Sequence, residues 1–96
     1  MRMRVVGKEL HRFRIKTLEL CYELSEGNSL NNISIQNLAE KLGIKDSHDI
    51  KLLGAVQYLA DKGFLELHKS GSLNMPVRVT HLGIDEVELN FPRLVI

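Results

Sequence analysis

GFLELHKSGSLNMPVRVTHLG, residues 63–83, changes character twice. A helical pattern ends at Gly63. Leu65 and Leu67 then alternate with Glu66 and His68, and later Val77 and Val79 alternate with Arg78 and Thr80. Alternation of period two marks a half-buried strand. Between the runs lies Lys69-Ser70-Gly71-Ser72-Leu73-Asn74, polar and too long for a tight turn. The stretch therefore predicts a hairpin with a polar tip. Pro76 suits a strand start or an edge, because it has no N–H to give to a ladder. Thr80 then caps a last helix, His81 to about Leu89, with Ile84 and Val87 inward and Pro92 as its breaker.

Upstream, Asp46 is the expected N-cap of a helix running to about Lys62, with Asp49 three residues in. On a helical wheel Leu52, Leu53, Val56, Leu59 and Ala60 face inward, and Ser47, Lys51, Gly54, Ala55, Tyr58 and Lys62 face outward. The outward stripe is unusual for a solvated face, with two small residues, an aromatic and two lysines. Gly54 in mid-helix costs about 1 kcal/mol relative to Ala, so its place there fits a surface that something approaches closely. Before this helix, Ser34 reads as the N-cap of a shorter one ending at Gly43. Ile33 and Leu38 stand at its staple positions, and Leu38, Ala39 and Leu42 form its buried face. The first helix runs from about Lys8 to Glu26, with Leu10, Phe13, Leu20, Cys21 and Leu24 near one face and Gly27 as its C-terminal cap.

The order is helix, short strand, helix, helix, strand, polar loop, strand, helix. Three stretches carry a resemblance: Ile35-Gln36-Asn37-Leu38-Ala39-Glu40-Lys41-Leu42-Gly43-Ile44, Val56-Gln57-Tyr58-Leu59-Ala60-Asp61-Lys62-Gly63-Phe64-Leu65, and Val79-Thr80-His81-Leu82-Gly83. Together they resemble the winged helix-turn-helix superfamily, in its MarR- and PadR-like transcription regulators, over roughly Lys8 to Leu89. The resemblance implies a mainly α fold with a small antiparallel β-hairpin. It divides the chain into a basic N-terminal arm (1–7), a winged-helix domain (8–90) and an apolar C-terminal tail (91–96). It further implies double-stranded DNA as partner, with the third helix (46–62) at the major groove and the 69–74 loop as the wing.

Within that frame Lys51, Lys62 and Lys69 offer charge to phosphates, Ser47, His48 and Ser70 offer hydrogen bonds, and Tyr58 can reach a phosphate. Arg2 and Arg4 belong to a basic arm that can reach a groove; their alternation with Met3 and Val5 equally suits a strand added to a partner, or simple disorder. Arg78 has two readings, a phosphate contact or a cross-strand pair with Glu66. Against DNA stand Asp46 and Asp49 at the N-terminus of the third helix, and the absence of Arg from that helix. The alternative is a winged-helix module that docks a protein through the Gly54-Ala55-Tyr58 stripe, without DNA.

The totals narrow the remaining choices. The 96 residues make one domain, with a formal net charge of +1 and a mostly aliphatic core. Arg2, Arg4, Lys8, Arg12, Arg14 and Lys16 crowd the N-terminus, and the following third is acidic. Cys21 stands alone, so a reducing, cytoplasmic setting is expected. No long apolar run predicts a membrane span, and no apolar region behind the first arginines predicts a secretory signal. His11, His48, His68 and His81 fall on four separate elements without metal-ligand spacing, and no nucleophile or phosphate-loop motif is present. Neither enzyme, cofactor nor metal is expected. The apolar tail Phe91, Leu94, Val95 and Ile96, with Ile15, Leu18 and Tyr22 on the first helix, points to a homodimer.

Overall fold

Ser34 sets the first corner of the chain. Its backbone is extended, and its hydroxyl accepts the Asn37 N–H at 3.0 Å, as an N-cap should. Ile33 before it and Leu38 after it are both buried, so the hydrophobic staple forms. In the computed structural model, which describes residues 2–46, 49–68 and 76–90 and side chains from Lys8 onward, this helix is one of four. They are α1 (Arg2–Ser25), α2 (Ile35–Leu42), α3 (Ile50–Asp61) and α4 (His81–Asn90). Three short strands accompany them: β1 (Ile33–Ser34), β2 (Leu65–Leu67) and β3 (Pro76–Val79). The fold is a winged helix-turn-helix.

The strands form one antiparallel sheet in the order β1-β3-β2. Leu65 pairs with Val79, Glu66 with Arg78, and Leu67 with Val77, while Ile33 closes the other side against Val77. The period-two pattern works as expected: Ile33, Leu65, Val77 and Val79 are buried on the face that meets the helices. Pro76 begins β3, and its carbonyl accepts the His68 N–H at 3.0 Å.

α1 is the central helix. It packs against α2, α3, α4 and the sheet, burying Thr17, Leu18, Cys21 and Ser25 completely. Leu18 is thus a core residue and not part of an outer apolar patch. The two buried hydroxyls are satisfied within the helix, Thr17 donating to the Phe13 carbonyl at 2.7 Å and Ser25 to that of Tyr22 at 3.0 Å. Tyr22 donates to Glu88 at 2.6 Å, tying α1 to α4. That bond, then burial and the Glu88 charge, raise the phenol above its ordinary range.

Two boundaries differ from expectation. α1 begins at Arg2, so residues 2–7 continue the helix instead of forming a strand. Gly7 lies inside it. The N-cap of α3 is Asp49, whose carboxylate accepts the Leu52 N–H at 3.1 Å. Asp46 stands one turn earlier, and its carbonyl accepts the Asp49 N–H at 3.0 Å. Gly43 caps α2 as expected, at φ 76°, and Ile44 N–H closes on the Ala39 carbonyl at 2.8 Å.

Candidate nucleic-acid interface

α3 buries Leu52, Ala55, Val56 and Leu59. Ala55, expected on the outward stripe, is only 3% exposed. The outermost line of the helix is therefore Ile50, Gly54, Gln57 and Asp61, all exposed at the i, i+4, i+7, i+11 spacing of one helical face. Ile50 is 87% exposed, the most exposed of the large apolar residues described. Gly54 has open space where a Cβ would stand. Gln57 Nε2 donates to Asp61 Oδ1 at 2.9 Å, one turn further on.

Lys51, Tyr58 and Lys62 flank this line on its α1 side. Lys51 Nζ stands 4.7 Å from the centre of the Phe13 ring of α1. The Tyr58 ring carries the Arg14 guanidinium at 3.9 Å and Lys62 Nζ at 5.6 Å. These are cation–π contacts, which hold a charge against an apolar stem without neutralising it. A basic shoulder results along the α1–α3 seam: Arg14, Lys51 and Lys62, with Tyr58 half-buried between them. Below it, a cleft of about 330 Å³ opens where α1, α3 and α4 meet, with Ile15, Leu18, Leu59 and Phe64 among its apolar walls.

The expected site residues separate into groups. Lys51, Tyr58 and Lys62 come together on this shoulder. Arg78 does not join them. It sits between the buried Val77 and Val79 on the sheet face turned away from the core. Its Nε donates to Asn32 Oδ1 at 2.7 Å. Glu66 is opposite it in register, but the Glu66 carboxylate lies 3.0 Å from His68 Nε2. The Arg78–Glu66 pair, one of the two readings of Arg78, is not made. Ser47, His48, Lys69 and Ser70 lie outside the described residues. Arg2 and Arg4 fall in the first turn of α1.

Asp49, expected to repel a phosphate, directs its carboxylate to the Leu52 N–H in the first turn of α3. Among the described residues no cluster of three or more His, Cys, Asp or Glu side chains could hold a metal ion. Nor is any described helix long and apolar enough to cross a membrane.

Sequence reading missed Arg14, Gln57 and Asp61. Arg14 could have been found only by knowing which helix faces Tyr58. Gln57 and Asp61 were legible as an i, i+4 pair on α3, once Ala55 is counted as buried.

The element order and the sheet topology are those of a winged helix-turn-helix fold. Among solved structures the chain is similar to a crystal structure of a mutant MepR from a multidrug-resistant S. aureus clinical isolate. That match has a TM-score of 0.57 at 11% identity and covers 95% of this chain and 71% of the other. No protein-family model matches the sequence, and no curated protein matches it.

Proposed function

We propose that this protein binds double-stranded DNA as a transcription regulator, with the outer line of α3 in the major groove and the α1–α3 shoulder on an adjacent phosphate backbone. The observation that carries the reading is the shoulder itself. Arg14, Lys51 and Lys62 come from two helices yet gather on one flank of an exposed helix face. At mid-face Gly54 leaves room for close approach. Phosphate contacts position a helix, and the groove-facing residues then meet base edges. The 69–74 loop is proposed as the wing, with Lys69 and Ser70 on the backbone beside the groove. The basic residues Arg2 and Arg4 add affinity without specificity. Binding, not catalysis, is the proposed activity, and the unpaired Cys21 suits the reducing cytoplasm.

Fluorescence anisotropy with a mixed-sequence duplex at low salt tests the reading. Phosphate neutralisation releases counterions, so replacing Lys51, Lys62 or Arg14 by Ala weakens binding to every sequence. Each replacement lowers the salt slope by about 1. If the wild type shows no binding near about 100 μM, weaker than ordinary non-specific association, the DNA reading fails. The exposed Ile50 face would then be left to a protein partner.

A further inference from the structure

We propose that the outer line of α3 selects A·T pairs, with Gln57 reading adenine and Ile50 packing on a thymine methyl. The inference rests on the DNA reading above and gives it a target chemistry.

The argument begins with the Gln57–Asp61 contact. A carboxylate only accepts hydrogen bonds, so Asp61 Oδ1 at 2.9 Å requires the nitrogen end of the Gln57 amide. This fixes which way the amide faces. With Asp61 on the Nε2 hydrogen that points away from Oε1, the other lies beside Oε1 and is left for a base. Together these two atoms present one donor beside one acceptor. Adenine offers the complement in the major groove, N7 as acceptor and the N6 amino group as donor. Guanine presents two acceptors there, N7 and O6, and would set an oxygen against Oε1. Asp61 therefore acts as a positioning residue and Gln57 as the reader.

Ile50 completes the assignment. An 87% exposed isoleucine at the start of α3 has no packing role within the described chain. In the major groove only thymine shows an apolar group, its C5-methyl, and apolar side chains recognise it by contact. Ile50 and Gln57 are two helical turns apart, about 10.5 Å along the axis. That is about three base-pair steps. Gly54 lies between them with no side chain to hold the helix off the bases. Charge is supplied from the flank, by Lys51 and Lys62, and not from the reading line. A line of isoleucine, glycine, glutamine and aspartate discriminates chemically while adding little non-specific affinity.

The test is selection of the full-length chain on a randomised duplex, followed by anisotropy on the enriched site. Enrichment of A·T pairs is expected. Replacing the key thymine by uracil, which lacks the methyl, weakens wild-type binding several-fold but leaves Ile50→Ala unaffected. Replacing the key adenine by 7-deazaadenine weakens the wild type about ten-fold and leaves Gln57→Ala unaffected. Asp61→Ala relaxes the preference for adenine over guanine without altering the salt slope. All three side chains are exposed, and thermal unfolding checks that the variants fold. Duplex binding without A·T enrichment, or an enrichment that survives both Gln57→Ala and Ile50→Ala, overturns the inference and leaves DNA binding standing. No binding to any duplex overturns both.

Discussion

A Cβ built on Gly83 would run into the Phe64 carbonyl oxygen and press on the Val79 side chain. The reason is local. Thr80 caps α4 by accepting the Gly83 N–H at 3.1 Å, and its own hydroxyl donates to the Gly63 carbonyl. Its N–H closes on the Phe64 carbonyl at 3.0 Å. The first turn of α4 is thereby drawn onto the backbone that leaves α3, and only glycine fits between them. Gly83→Ala is expected to cost about 3 kcal/mol, lowering the melting temperature by more than about 10 °C. Gly54→Ala is expected to do the opposite. Its Cβ would meet nothing and the position is mid-helix, so stability rises by up to about 1 kcal/mol. Thermal unfolding followed by circular dichroism distinguishes the two glycines. Cys21 gives a third residue-scale prediction. Burial raises its thiol from 9.0 to about 12. At slightly alkaline pH the folded protein thus holds about a thousandfold less thiolate than a free cysteine. A thiol reagent at pH 8 should label the native chain only as fast as it unfolds. The sign for stability follows: the native state keeps a proton that the unfolded state releases. This contribution is whole below pH 9 and is lost as pH rises toward about 12. Prompt labelling in native buffer would show that the side chain is accessible.

At the scale of elements, helix ends account for most of what could be read in advance. Ser34, Gly43 and Thr80 cap where their chemistry requires, and alternation placed β2 and β3 on the correct faces. The end of α1 is different. Gly27 was the expected left-handed cap, yet the helix stops at Ser25 and Glu26 also takes a positive φ, 56°. The Gly27 N–H closes on the Tyr22 carbonyl at 3.0 Å, so the motif places a non-glycine residue at its left-handed position. Glu26 is exposed. Glu26→Gly is therefore expected to raise stability by about 0.5–1 kcal/mol, read as a higher urea midpoint at unchanged slope. A lower midpoint would show that the glutamate side chain compensates its backbone. The candidate site was less legible than the caps. Reading Ala55 as outward helped turn the α3 face by about 80° on the wheel, because alanine is neutral in such patterns and its burial depends on its neighbours. The same ignorance of neighbours hid Arg14 and left Arg78 undecided between Glu66 and phosphate. Its partner, Asn32, lies before β1 and 46 positions away in sequence, where no local pattern points. Likewise Asp46 is the expected cap of α3, although Asp49 has the same chemistry three residues on. The Leu52 N–H on the Asp49 carboxylate decides for Asp49.

At the scale of the molecule, the proposed reading sets one helix, α3, against one stretch of groove. DNA-binding proteins built on helix-turn-helix folds commonly gain affinity by presenting two such helices across a two-fold axis, to half-sites one helical turn of DNA apart. We expect this chain to form a homodimer through α4. With Leu18 assigned to the core and Tyr22 bonded to Glu88, the first helix contributes less to that expectation than its sequence implied. α4 contributes more. Leu82 and Leu89 are 55% and 77% exposed and seven residues apart, on one side of the helix. The apolar 91–96 segment follows directly in sequence. Sedimentation equilibrium is expected to give twice the 10.9 kDa chain mass. A Leu82→Glu, Leu89→Glu double variant should return to a single chain. Neither side chain is in the buried core, so its melting temperature in dilute solution should change little. With one helix in place of two on the duplex, the variant should also lose about half of the salt slope of DNA binding. A single-chain mass for the wild type at concentrations well above micromolar would remove the dimer. If the double variant instead stays dimeric, the two chains meet through a surface other than α4.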